Sequence, residues 1–126
     1  MTKWEALYVF FKGFGVRAFE ENSVPTGRDK PEYPYIVYEI QQGGYEDDTD
    51  VFLSFSLIDK NDSFTGLYEL SNTIAEAIGE SKTYKLDKGF MRIQRATPWA
   101  QNQRDANDNT VRRLYHIIEV TYYTSY

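Results

Sequence analysis

The sequence predicts an α+β domain: an antiparallel (mixed) β-sheet with two main helices packed on one side. Three observations predict it. Two segments, Trp4–Phe11 and Leu67–Ile78, repeat apolar residues at helical spacing. Several others alternate apolar and polar residues with period two. The elements then follow in the order α-β-β-α-β-β-β, which suits helices gathered on one face of a sheet. A chain of 126 residues fits a single domain, 1–126, with a core of its own.

The first helix is read over 3–12. Thr2 and Glu5 match a capping box, in which a hydroxyl and a carboxylate satisfy each other's backbone donors. Trp4, Leu7, Tyr8 and Phe11 form one aromatic stripe, expected to pack in the core, and Gly13 and Gly15 end the pattern. Residues 20–34 are read as a loop stiffened by Pro25, Pro31 and Pro34. It leads into a strand at 35–41, with Ile36, Tyr38 and Ile40 on one face. After Gly43-Gly44 comes an acidic turn, Tyr45–Asp50, and then a strand with Val51, Leu53, Phe55 and Leu57 on one face. A connection of this length favours an antiparallel hairpin.

Asp59–Ser63 is polar and rich in capping residues. It precedes the clearest helix, 64–78, striped by Leu67, Leu70, Ile74, Ala75 and Ile78 and closed by Gly79. Tyr84–Leu86 and Phe90–Arg95 flank Asp87-Lys88-Gly89 as a hairpin. Residues 96–109 are read as a second long loop. The last strand sets Leu114, His116, Ile118, Val120 and Tyr122 on one face and Tyr115, Ile117, Glu119 and Thr121 on the other.

Composition narrows the function classes. A net charge of −5 argues against nucleic-acid binding, which needs a basic face. With no cysteine there is neither a disulfide nor thiolate chemistry, and a cytosolic folding compartment fits. The start of the chain lacks the layout of a signal peptide, and no apolar run reaches the length of a membrane span. Eleven tyrosines contribute to an aromatic content of 17%. That surplus suits half-buried strands and protein interfaces alike.

Catalytic chemistry finds little to stand on. His116 is the one histidine, mid-strand among apolar neighbours, and is expected to be structural. Asp59–Ser63 and Asp105–Asn109 imitate calcium loops but lack the glycine and the bidentate glutamate that such loops need. Gly13-Phe14-Gly15 follows a helix where a dinucleotide fingerprint requires a strand. No catalytic residue, metal or cofactor is expected. One charge pattern stands out. Glu46, Asp47, Asp48 and Asp50 cluster in the acidic turn, while Lys82, Lys85, Lys88, Arg92 and Arg95 face a single acid, Asp87, in the hairpin. Opposite patches on one subunit suit head-to-tail association, although solvated loops give the same pattern.

The linear order resembles the small neck and tail-completion proteins of long-tailed bacteriophages, specifically the tail terminator type often called a minor capsid protein. The likeness covers nearly the whole chain. It runs from "FFKGFGVRAFEENSVP" through "YPYIVYEI", "GGY" with its acids, and "LSNTIAEAIG" to "DKGFMRIQRATPWAQ" and "VRRLYHIIEVTYYT". The resemblance implies a virion protein, assembled in the host cytoplasm and not an enzyme. Its α+β subunits close into a ring, commonly a hexamer. The partners would be other copies of itself, the tail tube protein and a head-side connector or stopper, with DNA passing through the lumen without specific binding. Alternatives are another neck subunit, such as a head-completion or stopper protein, and a small-ligand domain walled by Tyr35, Tyr38, Trp99 and Tyr115. For the ring, the interface residues expected are Arg28 and Lys30 in the proline loop, Glu46, Asp47 and Asp48 in the acidic turn, and Lys85, Lys88 and Arg92 in the hairpin. Tyr33, Trp99 and Gln101 are the loop candidates.

Overall fold

The computed structural model describes residues 1–26, 31–39, 50–60, 63–104 and 110–124. Among these residues two helices and six strands follow in the order α1 (Lys3–Lys12), β1 (Arg17–Glu20), β2 (Tyr35–Tyr38), β3 (Asp50–Lys60), α2 (Thr65–Ile78), β4 (Lys82–Leu86), β5 (Gly89–Arg104) and β6 (Val111–Thr124). A single 3-10 turn, Glu21–Ser23, follows β1. The strands form one mixed sheet, curled into a half-barrel, in the spatial order β1-β2-β3-β6-β5-β4. β1 and β2 run parallel and every other neighbouring pair is antiparallel. Both helices pack on the same face, so the α+β architecture holds.

α1 starts where its capping box puts it. The Thr2 hydroxyl accepts from the Glu5 amide at 3.2 Å, and the Glu5 carboxylate accepts from the Thr2 amide at 3.3 Å. The buried stripe differs from the one expected. Ala6, Leu7, Phe10 and Phe11 turn inward, whereas Trp4 and Tyr8 are each 46% exposed. The run Leu7-Phe10-Phe11-Phe14 continues helical spacing beyond the helix end. Phe10 meets Phe11, Phe14 and Tyr84, and Phe11 stacks on Tyr38 at 4.6 Å. That larger apolar surface wins the core and rotates Trp4 and Tyr8 outward.

β1 is a strand within a stretch read as partly loop. Gly15, at φ +78, turns the chain into it, a conformation that costs a side-chain-bearing residue but not glycine. β1 has only four residues and charges at both ends, and its one pairing is to β2, so no periodic signal marks it. β2 and β3 pair antiparallel, with Ile36 opposite Leu57 and Tyr38 opposite Phe55. Of the acidic turn read between them, residues 45–49 lie outside the described residues, and Asp50 instead opens β3. Polar Asp59 and Lys60 belong to β3, where they were expected to cap a helix. α2 begins with no side-chain cap on its own N-cap residue, Phe64.

The second correction is larger. Residues 96–104 are not a loop: β5 runs to Arg104 and pairs along β6, with an irregularity between Arg95 and Ala100. Five steps along β5 there face two steps along β6. The odd difference inverts the alternation. Met91 and Ile93 point to the helices before the bulge, and Ala100 and Asn102 share that face after it. A period-two pattern that changes phase reads as irregular sequence.

The core lies between the helices and one sheet face. Leu7, Phe11, Leu67, Ile74 and Ile78 meet Ile36, Leu53, Phe55, Leu57, Met91, Ile93, Leu114, Ile118 and Val120. No helix is long and apolar enough to cross a membrane among the described residues.

Candidate interaction surfaces

β6 and its neighbours carry two unlike faces. On the helix-covered face, His116 is fully buried. Its ring stacks on Phe55 at 4.5 Å and meets the edge of Trp99 at 4.8 Å. Nδ1 lies 3.0 Å from the Leu114 carbonyl, an acceptor, so Nδ1 carries the proton and donates it there. Nε2 then accepts from the Ser71 hydroxyl of α2 at 2.8 Å. Burial pushes the imidazole down to about 4, only partly opposed by the bond to Leu114. The pair looks like a nucleophile with its base, but both side chains are buried, so no reactant reaches them. It pins α2, the β5 bulge and β3 onto β6. Among the described residues no three histidine, aspartate or glutamate side chains gather to hold a metal.

The opposite face has no helix over it among the described residues. Tyr35, Val37, Ser54, Tyr115, Ile117 and Glu119 are half-buried there by the curl of the sheet. Phe52 is 58% exposed and Phe90 44%. Phe90 stacks on Tyr123 at 4.7 Å, and the Arg92 guanidinium lies over the same Tyr123 ring at 5.7 Å. Arg92 Nε is buried with no hydrogen-bond partner. Aromatic rings beside an arginine are the composition that dominates protein interface cores.

A second exposed patch lies on the outer side of α1. Met1, Trp4, Tyr8 and Val9 are all exposed, and Lys12 Nζ sits over the Tyr8 ring at 5.2 Å. An apolar cleft at its start is lined by Met1, Trp4, Leu86 and Lys88. There Asp87 receives the N-terminal ammonium, and its backbone amide donates to the Met1 carbonyl at 2.9 Å. At the other end, a groove of about 530 Å³ separates α1 from β1.

The expected interface residues divide into three sets. Arg28, Lys30, Glu46, Asp47 and Asp48 lie outside the described residues. Lys85 and Lys88 are exposed on β4 and its turn, and Gln101 is exposed on β5 opposite Tyr115. Tyr33 is half-buried with its ring 5.6 Å from Tyr35, and Arg92 is half-buried at the Phe90–Tyr123 stack. Trp99 is a correction. It belongs to a strand bulge, not a loop, and packs inward on Phe55 and His116. The structure also separates the four residues that would wall a ligand pocket. Tyr38 and Trp99 lie on the helix side of the sheet, and Tyr35 and Tyr115 on the other. Sequence reasoning missed Trp4, Tyr8, Phe52 and Phe90 as surface aromatics. For Phe52 and Phe90 the signal was present, since both sit on the polar-phase side of their strands.

The fold and surfaces define a class: an α+β half-barrel with exposed aromatic residues on both sides of its sheet. No protein-family model matches the chain, and neither a curated protein nor a solved structure matches it.

Proposed function

We propose that the protein is a structural virion subunit of a long-tailed phage or prophage, a tail terminator whose copies close into a ring on the head-proximal end of the tail tube. One structural observation carries the reading. The exposed aromatic residues fall on opposite sides of one sheet, Trp4 and Tyr8 on α1 and Tyr68 on α2 on the helix side, and Phe52 and Phe90 on the uncovered face. A closed ring of identical subunits needs two different surfaces on each copy, because its interfaces are heterologous. The whole-chain resemblance to tail terminators supplies the identity of the ring.

The mechanism is capping by shape. One ring face copies the surface on which the next layer of tube protein would add, and the other does not, so growth ends. The acidic balance of −5 suits a lumen through which phosphate backbones slide without sticking. The head-side connector docks on the ring face turned away from the tube. Deleting the gene is expected to give overlong tails in electron micrographs, and light scattering is expected to show ring-sized particles with tail tube protein present. Tails of normal length, or a protein that stays monomeric and never caps tubes, would overturn the reading.

A further inference from the structure

Among the described residues no further strand is hydrogen-bonded to the outer side of β1 or of β4, although just past β4 the Asp87 amide donates to the Met1 carbonyl. An unpaired edge is a row of donors and acceptors ready for another strand. From these edges we infer that β1 of one copy pairs with β4 of the next, so that the sheet continues head to tail from subunit to subunit. This inference rests on the ring reading and names the junction that builds it.

Strand direction comes first. Following the ladder from β1 through β2, β3, β6 and β5 to β4, one parallel step and four antiparallel steps leave β1 and β4 running the same way. Copies related by rotation about an axis along the strands keep that direction. The junction between them is then parallel, as β1 and β2 already are.

Charge fits this polarity. In a parallel junction like ends meet. β1 ends on Glu20, with Glu21 opening the 3-10 turn behind it, and β4 carries Lys85 near its C-terminal end, with Lys88 in the turn that follows. At the N-terminal ends, Arg17 comes near Glu80, which stands two residues before β4. Matching the faces narrows the register further. Ala18 and Glu20 share the helix side of β1, and Lys82 and Tyr84 share the helix side of β4. The register that sets Phe19 against Thr83 and Glu20 against Tyr84 keeps these side chains on their own faces and brings Glu21, in the turn just past β1, towards Lys85.

Space fits as well. The groove beside α1 runs the length of β1, from Val16 to Glu20, and is walled by Tyr8 and Lys12. It leaves room on the helix side for the neighbour's exposed Lys82. The exposed lysines on β4 also set the choice of partner. Pairing two β4 edges would press lysine against lysine, and like charges across an interface are strongly disfavoured, whereas β1 offers acids.

The test uses Glu21→Lys and Lys85→Glu, two exposed positions, on the full chain. Weight-average mass is followed by light scattering over a concentration series at low salt, with and without tail tube protein. Each single reversal is expected to weaken association by about tenfold. An equal mixture of the two variants, or both changes in one chain, is expected to restore it. Amide hydrogen exchange is expected to slow at Arg17–Glu20 and Lys82–Leu86 as the wild type assembles. Assembly that ignores both reversals, or that leaves both edges exchanging freely, overturns the edge junction and leaves the ring to be built by another surface. A wild-type protein that remains monomeric under all these conditions overturns the ring reading, and the junction with it.

Discussion

Phe55 and Phe52 lie three residues apart on β3 and meet opposite surroundings. Phe55 is wedged between Phe11, Trp99 and His116, while Phe52 projects from the sheet with more than half of its surface in solvent. The same contrast runs across the whole sheet. The helix side spends its apolar side chains on one core, and the uncovered side holds an aromatic and arginine cluster around Tyr123. One side builds the core and, in the proposed ring, the other meets a neighbour, so changes on the two sides should show in different measurements.

The largest effect is expected from Phe55→Ala. Emptying that site removes a large buried ring and should destabilise the protein by about 3–5 kcal/mol, read from urea unfolding midpoints. A loss under about 1 kcal/mol would mean that the core does not close on Phe55. Next comes the pH dependence set by His116. Its folded-state value of about 4 lies below the ordinary 6.5, so the unfolded chain takes up a proton first as the pH falls. This contribution is complete above about pH 6.5, declines between 6.5 and 4, and stays lost below. It amounts to about 3 kcal/mol at most. The double variant His116→Phe with Ser71→Ala should flatten that part of the pH profile relative to wild type. An unchanged difference between pH 7 and pH 4 would refute it.

Thr2→Ala should cost about 1 kcal/mol by removing half of the capping box, a shift of a few degrees in the melting temperature. The smallest stability effect belongs to Phe52→Ser, expected within about 0.5 kcal/mol because the ring is already exposed. If the uncovered face is an association surface, the same variant should raise solubility or weaken assembly. A Phe52→Ser protein as unstable as Phe55→Ala would erase the contrast between the two faces.

Much of this fold is legible in the residues because single, sustained periods mark it. The Leu67–Ile78 stripe gives α2, the Thr2–Glu5 pair gives the start of α1, and alternation from Leu114 to Tyr122 gives β6 with the correct face inward. What failed has local physical causes. β1 is too short to show a period, and the bulge after Arg95 changes the phase of β5 in mid-strand. In α1, two stripes compete, and only the tertiary surroundings of Phe10 and Phe14 decide between them. The interaction surfaces were less legible than the core. Lys85, Lys88 and Gln101 are exposed as expected, but an exposed ring such as Phe52 differs from a core ring only by strand phase.

The two tryptophans turn this division into a spectroscopic one. Trp4 stands at the surface of α1, and Trp99, half-buried, packs edge-on to the His116 ring against the core. Their emission separates without any label: a solvated indole emits at longer wavelength than a buried one. A Trp4→Phe protein would report only unfolding and the protonation of His116, through the quenching of Trp99. A Trp99→Phe protein would report, besides unfolding, what comes to rest on the outside of α1. The chain thus carries two optical probes, one tuned to its own cohesion and one to its company.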